Sequence, residues 1–365
     1  MADDESMKIR YQLFGLLVVF CVILPASSKS GLADLADLYQ LPQTGLNPRE
    51  DVGKGPSTPP KNTALPVQHY NRWLPLLGEQ AVERGYELPL PFGIGINYMN
   101  IRQNIDVKSI AFSGLGLGNR ALPGGLFAID ASKTRQYSQT RTLRLDTWIL
   151  PFWDLYGITG QTRGHSMSSV GVDSDPDQFK GDLINQMIAG IIHGMHHAGS
   201  FDNLNFELKF KGNTYGIGTV LAGGSGDWYG LLDINYTQTR FDILDGSITA
   251  LTVSPRAGYR VDTPGLRAIG LPPGKLNLWV GTMYQNVQQE FKGSLNDLSM
   301  PASLKALMAM ANQKGEGRFD VKQHLQSPWN ILLGAQYSMT KHFNLATELG
   351  FAERHSIMVS GEYRF

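Results

Sequence analysis

The sequence is poor in cysteine, in charge of either sign and in long apolar runs. Its 365 residues include one cysteine, which excludes a disulfide framework within the chain and a metal site built from several cysteines. Basic and acidic residues number 32 each, so the basic excess of nucleic-acid binding proteins is absent and we expect no nucleic acid as a partner. No apolar run reaches the ~18 residues that a membrane-spanning helix needs.

Glycine and aromatic residues, by contrast, are plentiful. Glycine occupies 41 positions, aromatic residues make up 10% and hydrophobic residues 42% of the chain. Charged residues reach only 18%, against about 25% in an average soluble domain. This composition indicates an ordered chain that exposes little charge to water.

The N-terminal part has the features of an export signal. Lys8 and Arg10 precede an apolar run at residues 13–24, and small side chains follow it. We therefore predict a signal peptide at residues 1–28, with an uncleaved anchor as the alternative. Cleavage would also remove Cys21.

Two segments separate this signal from the main domain at residues 89–365. Residues 29–70 are rich in proline and cannot bury enough apolar area to fold, so we predict a linker in the periplasm. Residues 71–88 place apolar side chains such as Trp73 and Leu77 at mostly helical spacing, which predicts a short amphipathic helix. We expect this helix to pack at the edge of the main domain, with a plug as the alternative.

From residue 89 onward the hydrophobic pattern repeats every two residues. Ile357, Val359 and Tyr363 fall on one face of the last segment, and Ser360 and Glu362 on the other. Aromatic residues recur at the ends of such apolar faces. Strands between lipid and a polar lumen show this pattern, and a closed barrel satisfies every backbone polar group inside lipid. The sequence therefore predicts an all-β fold, a transmembrane antiparallel up-and-down β-barrel.

We predict about ten strands, or twelve if the first or fourth span contains a turn. The spans are 92–106, 140–150, 154–163, 204–223, 227–240, 248–261, 275–288, 329–339, 343–351 and 356–365. Long extracellular loops are expected at residues 111–139, 164–203 and 289–328. Apolar side chains at helical spacing predict short helices in the last two loops, at residues 177–197 and 302–312.

The end of the chain resembles that of a known class of membrane proteins. A terminal aromatic residue on a final amphipathic strand, here Phe365 after Tyr363, is typical of bacterial outer-membrane β-barrel proteins, and the tight turn within residues 148–157 is similar. The resemblance implies the outer membrane of a Gram-negative bacterium, with outer-membrane lipid and lipopolysaccharide as partners. It also implies that Tyr363 and Phe365 form an assembly signal for the barrel-assembly machinery.

Nine charged residues fall on the predicted inward faces of the strands. They are Arg144, Asp146, Arg163, Asp233, Arg256, Arg260, Glu348, Glu362 and Arg364. Charges inside a barrel should be paired, because the dielectric constant there is lower than in water. They form either a structural network that fills a narrow interior or a lumen that selects polar solutes.

Two histidines are the candidates for a metal site. His193 and His197 are four residues apart on one helical face, a spacing that can bind zinc or copper. The glutamate of an HExxH motif is absent because Gly194 follows His193, and no third ligand is evident. We therefore predict no metal and no cofactor.

A histidine and serines also lie where the third strand leaves the membrane, as they do in outer-membrane phospholipases. The Asn-His-x-Ser order of those enzymes is absent, because Gly164 precedes His165 and Met167 holds the serine position. No catalytic residue is therefore predicted, and an enzyme is not the expected function.

The function predicted from these features is transport. We expect a narrow, porin-like, loop-gated passage or binding barrel for small solutes or apolar molecules, with the small-molecule ligand unidentified. One alternative is a surface-interaction protein that serves as an adhesin, receptor or virulence factor. The other is a membrane-embedded lipid hydrolase.

Overall fold

The structure, a computed structural model, describes residues 70–84, 86–242, 245–265 and 272–365. The predicted signal peptide and nearly all of the predicted linker lie outside these ranges. The helices are α1 (Gly78–Glu83), α2 (Leu183–His197) and α3 (Ala302–Ala311). Among the described helices, none is long and apolar enough to cross a membrane.

Strands account for most of the described chain. In chain order they are β1 (Phe92–Ser113), β2 (Gly116–Leu117), β3 (Arg120–Ala121), β4 (Ala128–Leu150), β5 (Trp153–Asp173), β6 (Leu204–Ser225), β7 (Trp228–Phe241), β8 (Asp245–Thr263), β9 (Gly274–Ser294), β10 (Arg318–Leu325), β11 (Trp329–Ser338), β12 (Phe343–Phe351) and β13 (Arg354–Arg364). All of them except the short pair β2 and β3 belong to one antiparallel sheet.

Ten of the described strands close this sheet into a barrel. The lower half of β1 pairs with β13 on one side, where Gly93 faces Arg364, and with β4 on the other, where Phe92 faces Thr147. The remaining strands follow in the order β4 to β9 and then β11 to β13. Each of the ten predicted spans coincides with one of these strands. The fourth span contains no turn, because β6 continues through Gly212.

The outer face of this ring is apolar. Ile217 and Val280 on this face are 72% and 61% exposed. Aromatic side chains line its upper edge at Tyr98, Tyr215, Tyr236, Tyr284, Trp329 and Phe351, and its lower edge at Trp153, Trp228, Tyr259, Tyr337, Phe343 and Tyr363. From Phe343 to Phe351 the tilted strand rises roughly 20 Å, which is close to the ~25 Å apolar band of outer-membrane barrels. We call this surface the lipid band.

The strands continue above the lipid band further than predicted. Residues 128–139 belong to β4 and residues 164–173 to β5, although both stretches were expected in loops. The loop predicted at residues 289–328 contains the end of β9 and all of β10. β10 pairs with the upper parts of β1 and β9 and there takes the place of β11, β12 and β13. The three extracellular loops are therefore shorter than the sequence suggested, because pairing extends past the membrane.

The polarity of the strand faces inverts between the lipid band and this upper extension. On β6, Tyr215 and Ile217 point outward to lipid, whereas Leu208 and Phe210 point inward and are 3% and 4% exposed. β6 keeps its register with β7 through Gly212. Gly212 itself lies close to β7, since an added Cβ would be 2.1 Å from the carbonyl oxygen of Arg240. The apolar phase shifts because the outer face passes from lipid into water, so the apolar side chains move to the inside.

An apolar core fills the extension. One wall, formed by β1, β8, β9 and β10, contributes Phe112, Phe291 and Phe319, and the facing wall of β4, β5 and β6 contributes Val170 and Phe210. The two predicted loop helices cover this core with Ala189, Ile192, Leu304 and Met308. Both helices are observed: one limit of each agrees with the prediction, and the other limits differ by six residues in α2 and by one residue in α3.

At the opposite, periplasmic end, residues 70–91 lie across the mouth of the ring. The amide of Leu76 donates to the carbonyl of Ile149 at 2.8 Å, beside the β4–β5 turn. The Lys275 ammonium donates to Glu87 at 2.9 Å on the far side of the ring, and this bond is the main cause of a lowered pKa at Glu87. The helix within this segment is shorter than the predicted 71–88, because Leu77 adopts a left-handed conformation with φ of 64° and α1 begins after it.

Candidate functional site

Inside the ring, the lowest layer of side chains is charged. Arg364 donates to Asp146 at 2.6 Å and also contacts Glu362. Arg144 donates to Asp154 at 2.7 Å and lies 3.7 Å from the other oxygen of Asp146. Alternating strand geometry directs all five side chains inward, and burial then leaves each carboxylate dependent on an arginine.

A second cluster continues this layer across the lumen. Arg256 donates two hydrogen bonds to Glu348, at 2.6 and 3.0 Å, and lies 3.8 Å from Asp233. The Trp279 indole donates to the same Glu348 carboxylate at 2.7 Å, and Tyr156 donates to Asp233 at 2.5 Å. The clusters meet where the Arg144 guanidinium lies 3.8 Å from the centre of the Tyr156 ring. Together they form what we call the charged layer.

Eight of the nine predicted lumen-facing charges point inward, and Arg163 does not. Arg260 also belongs to the interior, where its guanidinium carbon lies 5.3 Å from the centre of the Tyr229 ring. Arg163 is on the outer face and donates to Gln139. The assignment of Arg163 to the lumen was wrong, because alternation along β5 places it on the same outward face as Leu155, eight residues earlier.

Several interior residues of the ring were not predicted from the sequence. They are Asp154, Tyr156, Trp279 and Arg354. Asp154 and Tyr156 flank the outward-facing Leu155, so period-two alternation alone was a sufficient signal for both. Nothing in the sequence indicated that the Trp279 indole would donate to a carboxylate 69 positions away.

Above the charged layer the interior consists mainly of amide and hydroxyl side chains, and the buried Arg354 lies among them, where it donates to the side-chain oxygen of Gln285 at 2.6 Å. The side chain of Gln136 accepts from Gln103 at 3.0 Å and from Gln289 at 2.9 Å. Thr214 links Thr162 and Thr239 through hydroxyl contacts of 2.7 and 2.8 Å. The Gln136 oxygen and the threonine hydroxyl groups have partners here, as buried polar groups require, whereas the buried side-chain oxygens of Gln103 and Gln289 have none among the described residues.

The third layer is the cap that α2 forms on the apolar core. Ala189 and Ile192 of this helix are fully buried, whereas Leu183 and Met187 on its other face are 81% and 62% exposed. Asp182 caps the helix by accepting from the amide of Asn185 at 3.2 Å, and this bond, together with Arg120 at 2.5 Å, lowers the pKa of Asp182. The predicted apolar stripe is therefore split between the core and the outside.

His193 and His197 lie on an exposed side of α2. Their Nε2 atoms are 3.1 Å apart, and Nδ1 of His193 is 2.9 Å from a carboxylate oxygen of Asp173. In the described ranges of the chain, no group of three or more histidine, cysteine or acidic side chains is placed to hold a metal ion.

His165 lies on the opposite face of β5 from Ser166 and Ser168, and Ser169, four positions further along the outer face, donates to Asn203 at 3.3 Å. The His165 ring stacks on Tyr137 outside the barrel, with ring centres 5.1 Å apart. Ser166 and Ser168 are buried inside, where Ser168 contacts Thr134 at 2.8 Å. Alternation along one strand keeps the imidazole and the hydroxyl groups apart, so they do not form a nucleophile–base pair.

The chain is similar to several solved structures of outer-membrane proteins. No protein-family model and no curated protein matches the sequence. The beta domain of the Bordetella autotransporter Brka matches 75% of this chain and 100% of its own, with 11% identity and a TM-score of 0.31. OprG of Pseudomonas aeruginosa matches 76% and 98%, with 11% identity and a TM-score of 0.31. The TodX monoaromatic hydrocarbon channel matches 76% and 91%, with 11% identity and a TM-score of 0.23.

The closed ring and its lipid band decide the class of protein. The chain is a transmembrane β-barrel of the bacterial outer-membrane type. Its strand pairing leaves no open edge at the level of the lipid band, and its outward side chains there are apolar and bordered by aromatic rings.

The residues of the predicted assembly signal lie at the seam where the ring closes. Phe365 and Phe92 exchange two backbone hydrogen bonds of 2.9 and 3.1 Å, and their rings stack at 5.9 Å. Deleting Phe365 removes these contacts, so we expect loss of the folded, heat-modifiable band on gels of outer membranes. Phe351→Ser, which removes an outward aromatic residue away from the seam, is the matched control. Normal assembly of the Phe365 deletion would show that the seam does not need this residue.

Proposed function

We propose that this barrel is a gated passage for small polar solutes, closed in the conformation described above. The observation that carries the proposal is the composition of the lumen at membrane level. Its wall presents paired charges, amides and hydroxyl groups, whereas the apolar closure above it comes from the upper extension and from helices in its connecting loops. A polar lumen beneath a cap that is separate from the membrane-level strands favours transport controlled at the mouth.

The cap is the closure that can most readily move. α2 packs on the core through few buried side chains, while Leu183 and Met187 gain nothing from the core because they face outward. Its polar contacts to the rest of the mouth are two exposed pairs, Asp182 with Arg120 and His193 with Asp173. Exposed ion pairs stabilise only weakly, so the attachment of this helix is weaker than the strand pairing below it.

The charged layer would set the size limit and the polarity of the solute. A ten-stranded ring is only slightly wider than an eight-stranded one, whose interior side chains fill completely. The layer holds three arginines and five carboxylates, so we expect cationic solutes to be preferred over anionic ones. Passage then requires ion pairs such as Arg256 with Glu348 to open, so that each side chain forms hydrogen bonds with the solute or with water instead.

The test is the single-channel conductance of the purified protein in planar bilayers. Replacing residues 182–197 with a short Gly/Ser linker removes the cap, and larger or more frequent conductance steps are expected. A second variant also lacks residues 70–88, which removes the segment across the periplasmic mouth, and should conduct more than the first. Leu183→Ser with Met187→Ser alters the exposed side of α2 and is the control. A correctly folded protein that does not conduct before or after both deletions would refute the passage.

A further inference from the structure

Four arginines form a basic surface on the outside of the barrel, directly above the lipid band. They are Arg102 on β1, Arg135 and Arg141 on β4, and Arg163 on β5, all of them exposed, and we call them the arginine patch. Arg141 is paired in register with Tyr98, whose ring marks the upper edge of the lipid band. The patch therefore lies at the height where the headgroups of the outer leaflet meet the protein.

The arginine patch lacks acidic partners. In the part of the chain that the structure describes, none of its four guanidinium groups forms an ion pair with a carboxylate. Most basic residues on other strands of the outer wall behave differently, and among the described residues of those strands Arg240 on β7 is an exception. Lys209, Lys211, Lys292, Lys322 and Arg318 each have a carboxylate within 4.0 Å. The uncompensated positive charge is thus concentrated on three neighbouring strands.

Aromatic and amide side chains hold the guanidinium groups in place. Arg102 lies over the Tyr137 ring at 5.0 Å, and Arg141 lies over the Tyr98 ring at 5.9 Å. Arg163 donates to the side-chain oxygen of Gln139 at 3.1 Å. A planar guanidinium that is already oriented loses less entropy when it binds a phosphate in a bidentate manner.

The patch also borders a cavity in the wall. The cavity has a volume of about 200 Å³ and lies beside the β12–β13 turn, where the ring of ten strands gives way to the extension. Its lining residues are Arg102, Gln103, Asn104, Arg135, Ala352, Glu353 and His355. Two arginines and a histidine make it suitable for an anion, and Glu353 is its one carboxylate.

We propose that the arginine patch and this cavity bind the phosphate groups of a phosphorylated glycolipid of the outer leaflet, of the lipopolysaccharide class. Its acyl chains would lie on the lipid band directly below, against outward side chains such as Ile96 and Leu145. The apolar surface and the phosphate-binding surface are continuous, which fits an amphiphile better than a soluble anion. This inference depends on the outer-membrane location and not on whether the lumen conducts.

The test measures binding of purified, diphosphorylated rough lipopolysaccharide to the full-length protein in detergent. The triple variant Arg102→Gln, Arg141→Gln and Arg163→Gln should bind about ten-fold more weakly, because three charge-assisted contacts to phosphate are lost. The matched control Lys292→Gln, Lys322→Gln and Arg318→Gln removes the same charge on β9 and β10 and should stay within about two-fold of the wild type. Glu353→Gln should bind at least as tightly as the wild type, since it removes the negative charge from the cavity.

Three further results decide between ligands. Lipopolysaccharide treated with phosphatase should bind the wild type as weakly as the intact lipid binds the triple variant. Inorganic pyrophosphate should not displace the lipid; displacement at equal concentration would indicate a site for soluble anions instead. Phosphatidylglycerol should bind more weakly, and equal affinity would refute recognition of a glycolipid. Equal binding by the triple variant and the control, with heat-modifiable migration intact in both, would overturn the proposal.

Discussion

Replacing Arg256 with alanine is expected to lower the free energy of unfolding by about 3–5 kcal/mol, because it leaves buried carboxylates without their counter-charge. The Arg256 side chain is 11% exposed and that of Glu348 is 6% exposed. Glu348 would keep its bond from Trp279 and lose both bonds from the guanidinium, while Asp233 would lose its nearest cation. Urea-induced unfolding in lipid vesicles, followed by tryptophan fluorescence, measures the loss.

Arg163→Ala is the control for this prediction. Arg163 is exposed and has no carboxylate partner in the described chain, so its replacement should change stability by no more than about 0.5 kcal/mol. A double-mutant cycle with Arg256→Ala and Glu348→Ala should give a coupling energy of about 1–3 kcal/mol. A coupling near zero would mean that the two side chains do not form the bidentate pair in the folded barrel.

Leu333→Arg should cost about 2–4 kcal/mol of folding free energy, since the position faces the hydrocarbon of the bilayer. Leu333 is on the outer face of β11, is 46% exposed and pairs in register with Val280 of β9 and Leu349 of β12. An arginine there cannot reach water without distorting the bilayer or the strand. The same vesicle unfolding assay gives its magnitude.

The position of the lipid band is tested by a second arginine substitution further along the outer wall. Gln238 of β7 lies two residues above Tyr236, beyond the aromatic edge of the band, so Gln238→Arg should be nearly neutral. Ser360→Arg faces the lumen and tests steric fit there rather than contact with lipid. Similar costs for Leu333→Arg and Gln238→Arg would place the membrane elsewhere on the barrel or remove it altogether.

The part of the fold inside the membrane was predictable because one physical rule governs every strand there. Lipid demands apolar outward residues and the lumen tolerates polar inward ones, so a period of two in the sequence identifies each strand and its register. The last strand shows this in Ile357, Val359 and Ser360, all of which face as predicted. The helix α3 could be predicted equally well, because its apolar residues are at helical spacing and Pro301 precedes it.

The upper extension was not predictable by the same rule, because there the outer face of each strand meets water and the inner face meets an apolar core. Val170 and Val172 of β5 point inward and are buried, whereas Leu155 further down the same strand points out to lipid. A search for outward apolar residues therefore ends each strand too early. β10 is also short, and its pairing with β1 joins segments that are distant in sequence.

The charged layer was predictable in its members and not in its pairing. Alternation along each strand identifies Arg256 and Glu348 as inward-facing. They are 92 positions apart in the sequence, so the sequence does not indicate that they are in contact. The radius of the ring and the stagger of its strands decide which arginine reaches which carboxylate, and neither follows from composition. The arginine patch was hidden for the same reason, since its residues become neighbours only after β1, β4 and β5 pair.

The seam between β1 and β13 has a consequence for the order in which the barrel folds. β1 comes first in the sequence of the ring, yet its lower half needs β13 and its upper half needs β10 before its hydrogen bonds are complete. Pairing the two ends of a long chain requires a large loss of loop entropy before any contact compensates for it, which makes such steps slow. The hairpins from β4 to β9 can form from local contacts while β1 still exposes an unpaired edge. Ring closure should therefore be the rate-limiting step of assembly, and an unpaired β1 the part of the intermediate most prone to aggregation.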